Sequence, residues 1–401
     1  MPLFFNYSPQ QAWEDDDGIY INFFLTEVKR VLPYFEVFPG MAGEIFSRAI
    51  ADQALFQTIL SVSHLIADSR QHRSLIPAFS HQQQALSLLQ QSISSIDITE
   101  AVAISVAMLA WLNICRFNRP ALSQHLHGLF LIFEEIQKRG TEPSPLLMQI
   151  WRFSIRMDLV ASCFFFPRRP LFAPVPQGQD DFHRQWVRRS TSSNECAEWT
   201  LTWLALDNIM HRANHFASQA RDLRKTGANV EPQIREYTRS LFSQHYEWVQ
   251  RDTVRTAERR EREENAEHIF DTSIKTGMFL NYPPLRVYNK FYANLLNAWR
   301  ATWIYIDLIE NPAIGPGSLG SQRRKYAVEI CRTYAAIGRD TDMFPTGKVF
   351  GVFLSGVAFG GLRRSPAEVG WIYDHSLKDV KDAFPLNNTA VVSLSQYSID
   401  Q

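Results

Sequence analysis

Four polar side chains stand out because they lie on segments that are otherwise filled with apolar residues: His125, His127, Arg156 and Asp158. Such a set could act as a general acid and base, or could bind a ligand inside a helical cavity. If the chain is an enzyme, His125 and Asp158 are expected to carry the chemistry. The interpretation that we favour is that all four are buried, hydrogen-bonded groups that fix the register of neighbouring helices.

The spacing within this set argues against direct cooperation between its members. His125 and His127 are two positions apart, which places them about 200° apart around a helix, whereas a zinc-binding histidine pair prefers a spacing of three or four. Arg156 and Asp158 have the same spacing, so their partners are expected on neighbouring helices, with His125 or Arg152 as candidate donors to Asp158. We therefore expect no metal ion and no cofactor.

Sequence motifs for other catalytic chemistry are absent from the chain. It has no Gly-x-Ser-x-Gly nucleophile motif, no phosphate-binding loop and no dinucleotide fingerprint. Residues 351–361 are rich in glycine but do not follow a strand pattern, so close helix packing is the better explanation. Several aromatic residues are assigned mainly to the core, with an apolar ligand pocket as the alternative. These are Phe164, Phe165, Phe166, Trp299, Trp303, Tyr305 and Tyr373.

The elements that position these residues are helices, because apolar residues recur at helical spacing over long segments. Proline, serine and glycine stand where helices should begin or end, as at Pro120, Gly140 and Ser144-Pro145, and Asp97 is a plausible cap. Alternation typical of strands is nearly absent. The predicted helices cover residues 52–68, 77–94, 97–115, 120–139, 145–166, 195–225, 231–267, 284–309, 322–337, 344–362 and 367–380.

These helices predict an all-α fold, a multi-helix array of antiparallel hairpins that forms one body. Residues 1–166 make an N-terminal helical half and residues 195–401 a C-terminal helical half. Between them, residues 167–194 are rich in proline and polar residues, so we interpret this segment as a connector that is mobile or sensitive to proteases.

Charge gives no reason to expect direct binding to nucleic acid or to a membrane. Lysine plus arginine and aspartate plus glutamate both number 41, so the whole chain exerts no long-range attraction on a polyanion. The arginine-rich run 251–264 contains acids at helical spacing, such as Glu258 and Arg262, and is interpreted as a self-paired, solvated helix face. The partners we expect are other proteins or a small-molecule effector, and a homodimer is one option.

The cysteines and the N-terminus indicate an intracellular, reducing compartment. The four cysteines are widely separated, which does not suggest a disulfide framework. The first residues lack the basic and apolar regions of a secretory signal, and no apolar stretch is long enough to span a bilayer. The nucleus and the cytoplasm both remain open.

Several short patterns resemble the regulatory domain of fungal-specific transcription factors of the second common type. His125-Leu126-His127-Gly128 stands where the family has His-Leu-basic-Gly, and Arg156-Met157-Asp158 resembles its arginine-aspartate pair. Their order along nearly the whole chain carries the resemblance. The other matching patterns are residues 23–28, 54–65, 81–89, 354–358 and 371–372.

The resemblance implies an all-α regulatory domain, often nuclear and often associated with the control of metabolic genes. The family's zinc binuclear cluster needs six closely spaced thiolates, and this sequence has four distant cysteines. We therefore expect a regulator whose DNA-binding cluster lies upstream or that works without one, linked to secondary metabolism. The alternative is an enzyme of fungal secondary metabolism, such as an isomerase, epimerase or cyclase, that performs acid-base chemistry on the same scaffold.

Overall fold

The described part of the chain is helical throughout. The computed structural model describes residues 15–28, 41–71, 73–95, 98–115, 118–139, 144–162, 170–172, 194–227, 229–264, 290–311 and 320–337. Within these ranges it contains twelve α-helices and no strand, which confirms the all-α prediction. In chain order the helices are α1 Asp15–Thr26, α2 Met41–Ala49, α3 Gln53–Arg70, α4 Ile76–Ser94, α5 Glu100–Cys115, α6 Arg119–Lys138, α7 Pro145–Val160, α8 Asn194–Lys225, α9 Glu231–Val249, α10 Asp252–Glu264, α11 Lys290–Glu310 and α12 Gly320–Ile337.

Local sequence signals set the beginning of α7. Ser144 precedes the helix in an extended conformation, and its hydroxyl accepts a hydrogen bond from the backbone N–H of Leu147 at 3.2 Å. Pro145 occupies the first turn, where its missing N–H costs nothing. The predicted start is thus confirmed. Asp97 and Gly140, and the predicted helices at 344–362 and 367–380, lie outside the described residues.

The prediction of one helix over residues 231–267 is wrong, because the chain bends at Gln250 and Arg251 and forms α9 and α10 instead. The indole N–H of Trp248 donates to the carbonyl oxygen of Thr202 on α8 at 2.7 Å. Just after the bend, the hydroxyl of Thr253 lies 3.1 Å from the hydroxyl of the same Thr202. Both helices contact one position of α8, so tertiary contacts override the helical preference of the sequence.

Several pairs of consecutive helices pack as antiparallel hairpins. In the α3–α4 pair, the hydroxyl of Ser61 donates to the carbonyl oxygen of Ala78 at 2.9 Å, and Gln57, one turn earlier, pairs with His81, about one turn later. The reversed order of these contacts shows that the two helices run in opposite directions. Contacts in reversed order also relate α8 to α9 and α11 to α12.

One hydrophobic core includes residues from both sequence halves. Its densest part surrounds α5, where every residue from Ala101 to Asn113 is buried. A helix that is apolar on all sides must lie inside a domain, and α5 contacts α3, α6 and α7. The division at 167–194 stays a prediction, because most of that segment lies outside the described residues. None of the described helices is long and apolar enough to cross a membrane.

Candidate functional site

The two predicted histidines lie on α6 in different environments. His125 is partly buried, and burial lowers the pKa of its imidazole to about 4, so the ring is neutral at pH 7. His127 is exposed to solvent. The structure therefore confirms that the two side chains point apart.

Arg156 connects α7 to α8. Its Nη2 atom donates hydrogen bonds to both carboxylate oxygens of Asp207, at 2.8 and 2.7 Å. The two side chains are only 11% and 15% exposed, so the ion pair is largely shielded from water. This confirms that the partner of Arg156 lies on a neighbouring helix, as its position on α7 predicted.

Asp158 holds the chain segment that follows α7. This residue is fully buried, and its Oδ2 atom accepts hydrogen bonds from the backbone N–H groups of Leu171 and Phe172, at 2.6 and 3.1 Å. The structure describes these two backbone donors. The suggestion of His125 or Arg152 as a donor stays a prediction, because the side chain of Arg152 lies outside the described residues. Because a carboxylate that accepts two N–H bonds is well compensated in the interior, Asp158 suits a structural role.

Phe172 completes this attachment on the side of α6. Its ring makes edge-to-face contacts with the rings of Phe130 and Phe133, with centroid distances of 5.7 and 6.3 Å. Such aromatic pairs contribute about 0.5–1.5 kcal/mol each beyond their buried area. The 170–172 segment is thus held by a polar contact to α7 and an apolar contact to α6.

A buried polar chain links α7, α8 and α11 near the end of α7. The hydroxyl of Tyr305 donates to Oδ1 of Asn214 at 2.9 Å, and Nδ2 of Asn214 donates to the hydroxyl of Ser162 at 2.6 Å. Ser162 in turn donates to the backbone carbonyl of Asp158 at 2.6 Å. Tyr305 was predicted to belong to the core or a pocket lining, and the structure places its hydroxyl in this network.

The four residues of the predicted site therefore make their described contacts in different parts of the structure. Arg156 faces α8, Asp158 faces the 170–172 segment, His127 faces solvent, and His125 is partly buried on α6. Among the described residues, these contacts do not arrange the four side chains around a common substrate position. The prediction that they form a ligand site stays a prediction.

The structure brings a different set of titratable residues together where α1, α3 and α4 meet. Nδ1 of His64 lies 3.0 Å from Oδ2 of Asp68, and the hydroxyl of Tyr20 donates to Oδ1 of the same carboxylate at 2.7 Å. The rings of Tyr20 and His64 are stacked, with centroids 3.4 Å apart. The buried carboxylate of Asp68 therefore contacts side chains from two helices, Tyr20 on α1 and His64 on α3.

His81 on α4 contacts two residues of α3, His64 and Gln57. Its ring stacks on His64 with a centroid distance of 5.1 Å, and its Nδ1 atom lies 2.7 Å from Oε1 of Gln57. Burial lowers the pKa of His81, and His64 lowers it further, while the carboxylate of Asp17 on α1 opposes both. We call Asp17, Tyr20, Gln57, His64, Asp68 and His81 together the histidine cluster.

Sequence reasoning missed the histidine cluster. His64 and Asp68 are four positions apart on one helix face, which was a visible signal for an interacting pair. Asp17 and His81 come from other helices, and nothing in local spacing connects them to His64. Their meeting depends on how α1 packs across the α3–α4 hairpin.

A comparison with known families agrees with the helical architecture described above. The model of the fungal specific transcription factor domain matches residues 20–301. Neither the curated proteins nor the solved structures that were compared gave a match. The matched range covers most of the chain and includes part of α1, all of α2 to α10 and part of α11.

The chain therefore belongs to the fungal specific transcription factor domain family. Its role is that of a transcription-factor-like regulatory protein. The resemblance drawn from the sequence patterns is confirmed by this match.

Proposed function

We propose that this chain is the regulatory part of a nuclear transcription regulator that controls genes of secondary metabolism, and that it acts through a protein partner or a small-molecule effector. Membership in the fungal specific transcription factor domain family is the observation that carries this proposal. The residues described above add a second support, since Arg156 and Asp158 make contacts that hold helices and segments together.

The arginine-rich helix α10 supports a mode of action without direct DNA contact. Arg262 is paired with Glu258, and Arg259 lies 3.8 Å from Glu263, on the same helix. The predicted self-pairing of Glu258 and Arg262 is thereby confirmed. Because the acids neutralise these arginines locally, α10 offers little net positive charge to a phosphate backbone.

A surface on α4 supports a second copy of the chain as the protein partner. Phe79, Leu86 and Ile93 recur every seven residues and are 40%, 40% and 47% exposed, and Ile76 at the helix start is 75% exposed. We call these four residues the α4 stripe. Seven-residue spacing of apolar side chains is typical of a helix that packs along another helix.

The charge of α4 favours pairing with itself. The helix contains no aspartate, glutamate, lysine or arginine, so two copies related by a twofold axis would bring no like charges together. A self-complementary apolar surface of this kind fits an isologous dimer. We therefore propose that the protein forms a homodimer through the α4 stripe.

The dimer is tested by light scattering on the eluate of a size-exclusion column. We expect the wild-type protein to have twice the mass of one chain and the Leu86→Lys variant to have the mass of one chain. Leu131→Lys is the matched control, because Leu131 is an exposed leucine on α6 outside the stripe. A monomeric wild-type protein, or equal masses for both variants, would rule out the α4 dimer.

The regulatory role is tested in a strain that lacks the gene, by measuring transcripts and metabolites together. We expect transcript levels of a group of biosynthetic genes to fall, and their products to disappear without accumulation of an intermediate. A fluorescent fusion of the protein should lie in the nucleus. The enzyme alternative predicts the opposite result, in which transcripts are unchanged and a single intermediate accumulates.

A further inference from the structure

Three residues whose side chains can bind a metal ion meet in the histidine cluster, one from each of three helices. Asp17 on α1, His64 on α3 and His81 on α4 each place one possible ligand atom within 4.8 Å of the other two. Two imidazole nitrogens and one carboxylate oxygen form a common ligand set for zinc and for other divalent transition metals.

The hydrogen bonds around the two histidines fix which nitrogen atoms are available. Nδ1 of His64 lies against the carboxylate of Asp68, and Nδ1 of His81 lies against the amide oxygen of Gln57. Both acceptors favour a proton on Nδ1, so each Nε2 atom keeps its lone pair. Histidine ligands in metal sites usually have this support, with the other ring N–H donated to a carboxylate or a carbonyl oxygen.

The distances require only a small adjustment for coordination. Ligand atoms about 2.1 Å from a tetrahedral zinc ion are about 3.4 Å from one another. Because the three atoms lie within 4.8 Å of one another, the separations would have to close by at most about 1.4 Å. Asp17 is only partly buried, so its side chain has room to rotate toward the histidines. The centroids of the two histidine rings are 5.1 Å apart.

We propose that Asp17, His64 and His81 bind one divalent transition-metal ion, with Zn²⁺ as the best fit, and that a water molecule completes the coordination. The ion would join α1 to the α3–α4 hairpin and neutralise the carboxylates of Asp17 and Asp68. This proposal replaces our expectation of no metal ion, which was based on histidine spacing within a single helix.

The direct test is a titration of the metal-free protein with Zn²⁺, followed by calorimetry and by metal analysis after gel filtration. We expect one Zn²⁺ ion to remain bound per chain and the thermal midpoint of unfolding to rise when Zn²⁺ is added. Co²⁺ serves as a spectroscopic probe, since four-coordinate Co²⁺ gives strong visible absorption. A folded wild-type protein that retains no stoichiometric ion would overturn the proposal.

Variants separate coordination from simple hydrogen bonding. Asp17→Asn and His81→Gln should each abolish retention of Zn²⁺ through gel filtration, and Gln57→Ala should weaken binding by about 10–100-fold, as loss of a supporting hydrogen bond does. His127→Gln is the control, because His127 is an exposed histidine on α6. It should bind as the wild type does.

The Asp17→Asn variant keeps the test decisive if a histidine variant unfolds. Asp17 lies on the partly exposed side of α1, so its replacement should leave helical circular dichroism unchanged. Unaltered Zn²⁺ binding by folded Asp17→Asn and His81→Gln would place the ion elsewhere and overturn the assignment.

Discussion

Arg156 on α7 and Asp207 on α8 form a two-point ion pair that connects the two sequence halves of the protein. Just after the end of α7, Ser162 contacts Asn214 further along α8. The contacts keep the same order on both helices, so α7 and α8 run in the same direction. A long connection is needed between parallel neighbours, and a segment rich in proline and polar residues separates the two helices in the sequence.

Replacing Asp207 with Asn should lower the free energy of unfolding by about 2 kcal/mol, because the largely buried charge of Arg156 would lose its ion pair with the Asp207 carboxylate. Asp222→Asn on the same helix is the control. Asp222 pairs with Lys225 in solvent, at 72% and 79% exposure, and its loss should cost less than about 0.5 kcal/mol. Urea unfolding followed by circular dichroism measures both, and equal effects would contradict a special role for Arg156–Asp207.

Two substitutions of Asp158 should have very different effects. Asp158→Ala removes the acceptor of two N–H groups, one on the partly buried Leu171 and one on the buried Phe172, and should destabilise the fold by about 3 kcal/mol. Asp158→Asn can still present an oxygen to them and should cost about 1 kcal/mol. Faster hydrogen exchange at residues 170–172 should accompany the alanine variant. If Asp158→Asn instead abolished a catalytic turnover while the fold and the exchange stayed unchanged, the enzyme alternative would be supported.

Acid should destabilise the protein partly through His245. Burial lowers the pKa of this histidine to about 4, although Nε2 bonds to the carbonyl oxygen of Trp299 at 3.0 Å. The unfolded chain binds the proton first, so the stabilisation is complete above the unfolded pKa of about 6.5 and is lost as the pH falls toward 4. At pH 5 the loss is about 2 kcal/mol for this group.

His245→Gln tests this contribution, because glutamine can donate to the same carbonyl but does not titrate. The loss of unfolding free energy between pH 7 and pH 5 should be about 2 kcal/mol smaller in this variant than in the wild type. Identical slopes for the wild type and His245→Gln would show that His245 does not contribute.

Arg300 joins α10, α11 and α12. It donates to both carboxylate oxygens of Glu261, and its Nε atom lies 2.9 Å from Oε2 of Glu329, close enough for an ion pair but outside hydrogen-bond geometry. Burial acts to lower the pKa of this guanidinium, but the two carboxylates raise it further than burial lowers it, so the charge is retained. The buried guanidinium of Arg300 thus forms ion pairs with two carboxylates, those of Glu261 and Glu329.

Arg300→Met should destabilise the protein by about 3–5 kcal/mol, because two partly buried carboxylates, those of Glu261 and Glu329, would lose their ion pairs with Arg300. Adding Glu261→Gln to this variant should recover part of the loss, and a double-mutant cycle in urea measures the coupling. No recovery would mean that the effect comes from lost packing of the long arginine side chain and not from charge.

Local sequence was sufficient for much of the fold, as α7 shows. Ser144 and Pro145 mark its beginning, and the apolar stripe marks its buried face, because helix capping and amphipathicity depend on residues only three or four positions apart. The same local view predicted one helix over 231–267. It failed because the bend depends on Thr202, about fifty residues away in sequence.

The sequence alone thus determined that this chain forms amphipathic helices, where several of them begin, and that His125 and His127 point apart. All of these follow from the 3.6-residue period of a single helix. Only the tertiary structure decided that Arg156 meets Asp207, and that Asp17, His64 and His81 converge from three helices. Such meetings depend on the direction and register with which separate helices pack, and no short sequence pattern encodes these quantities.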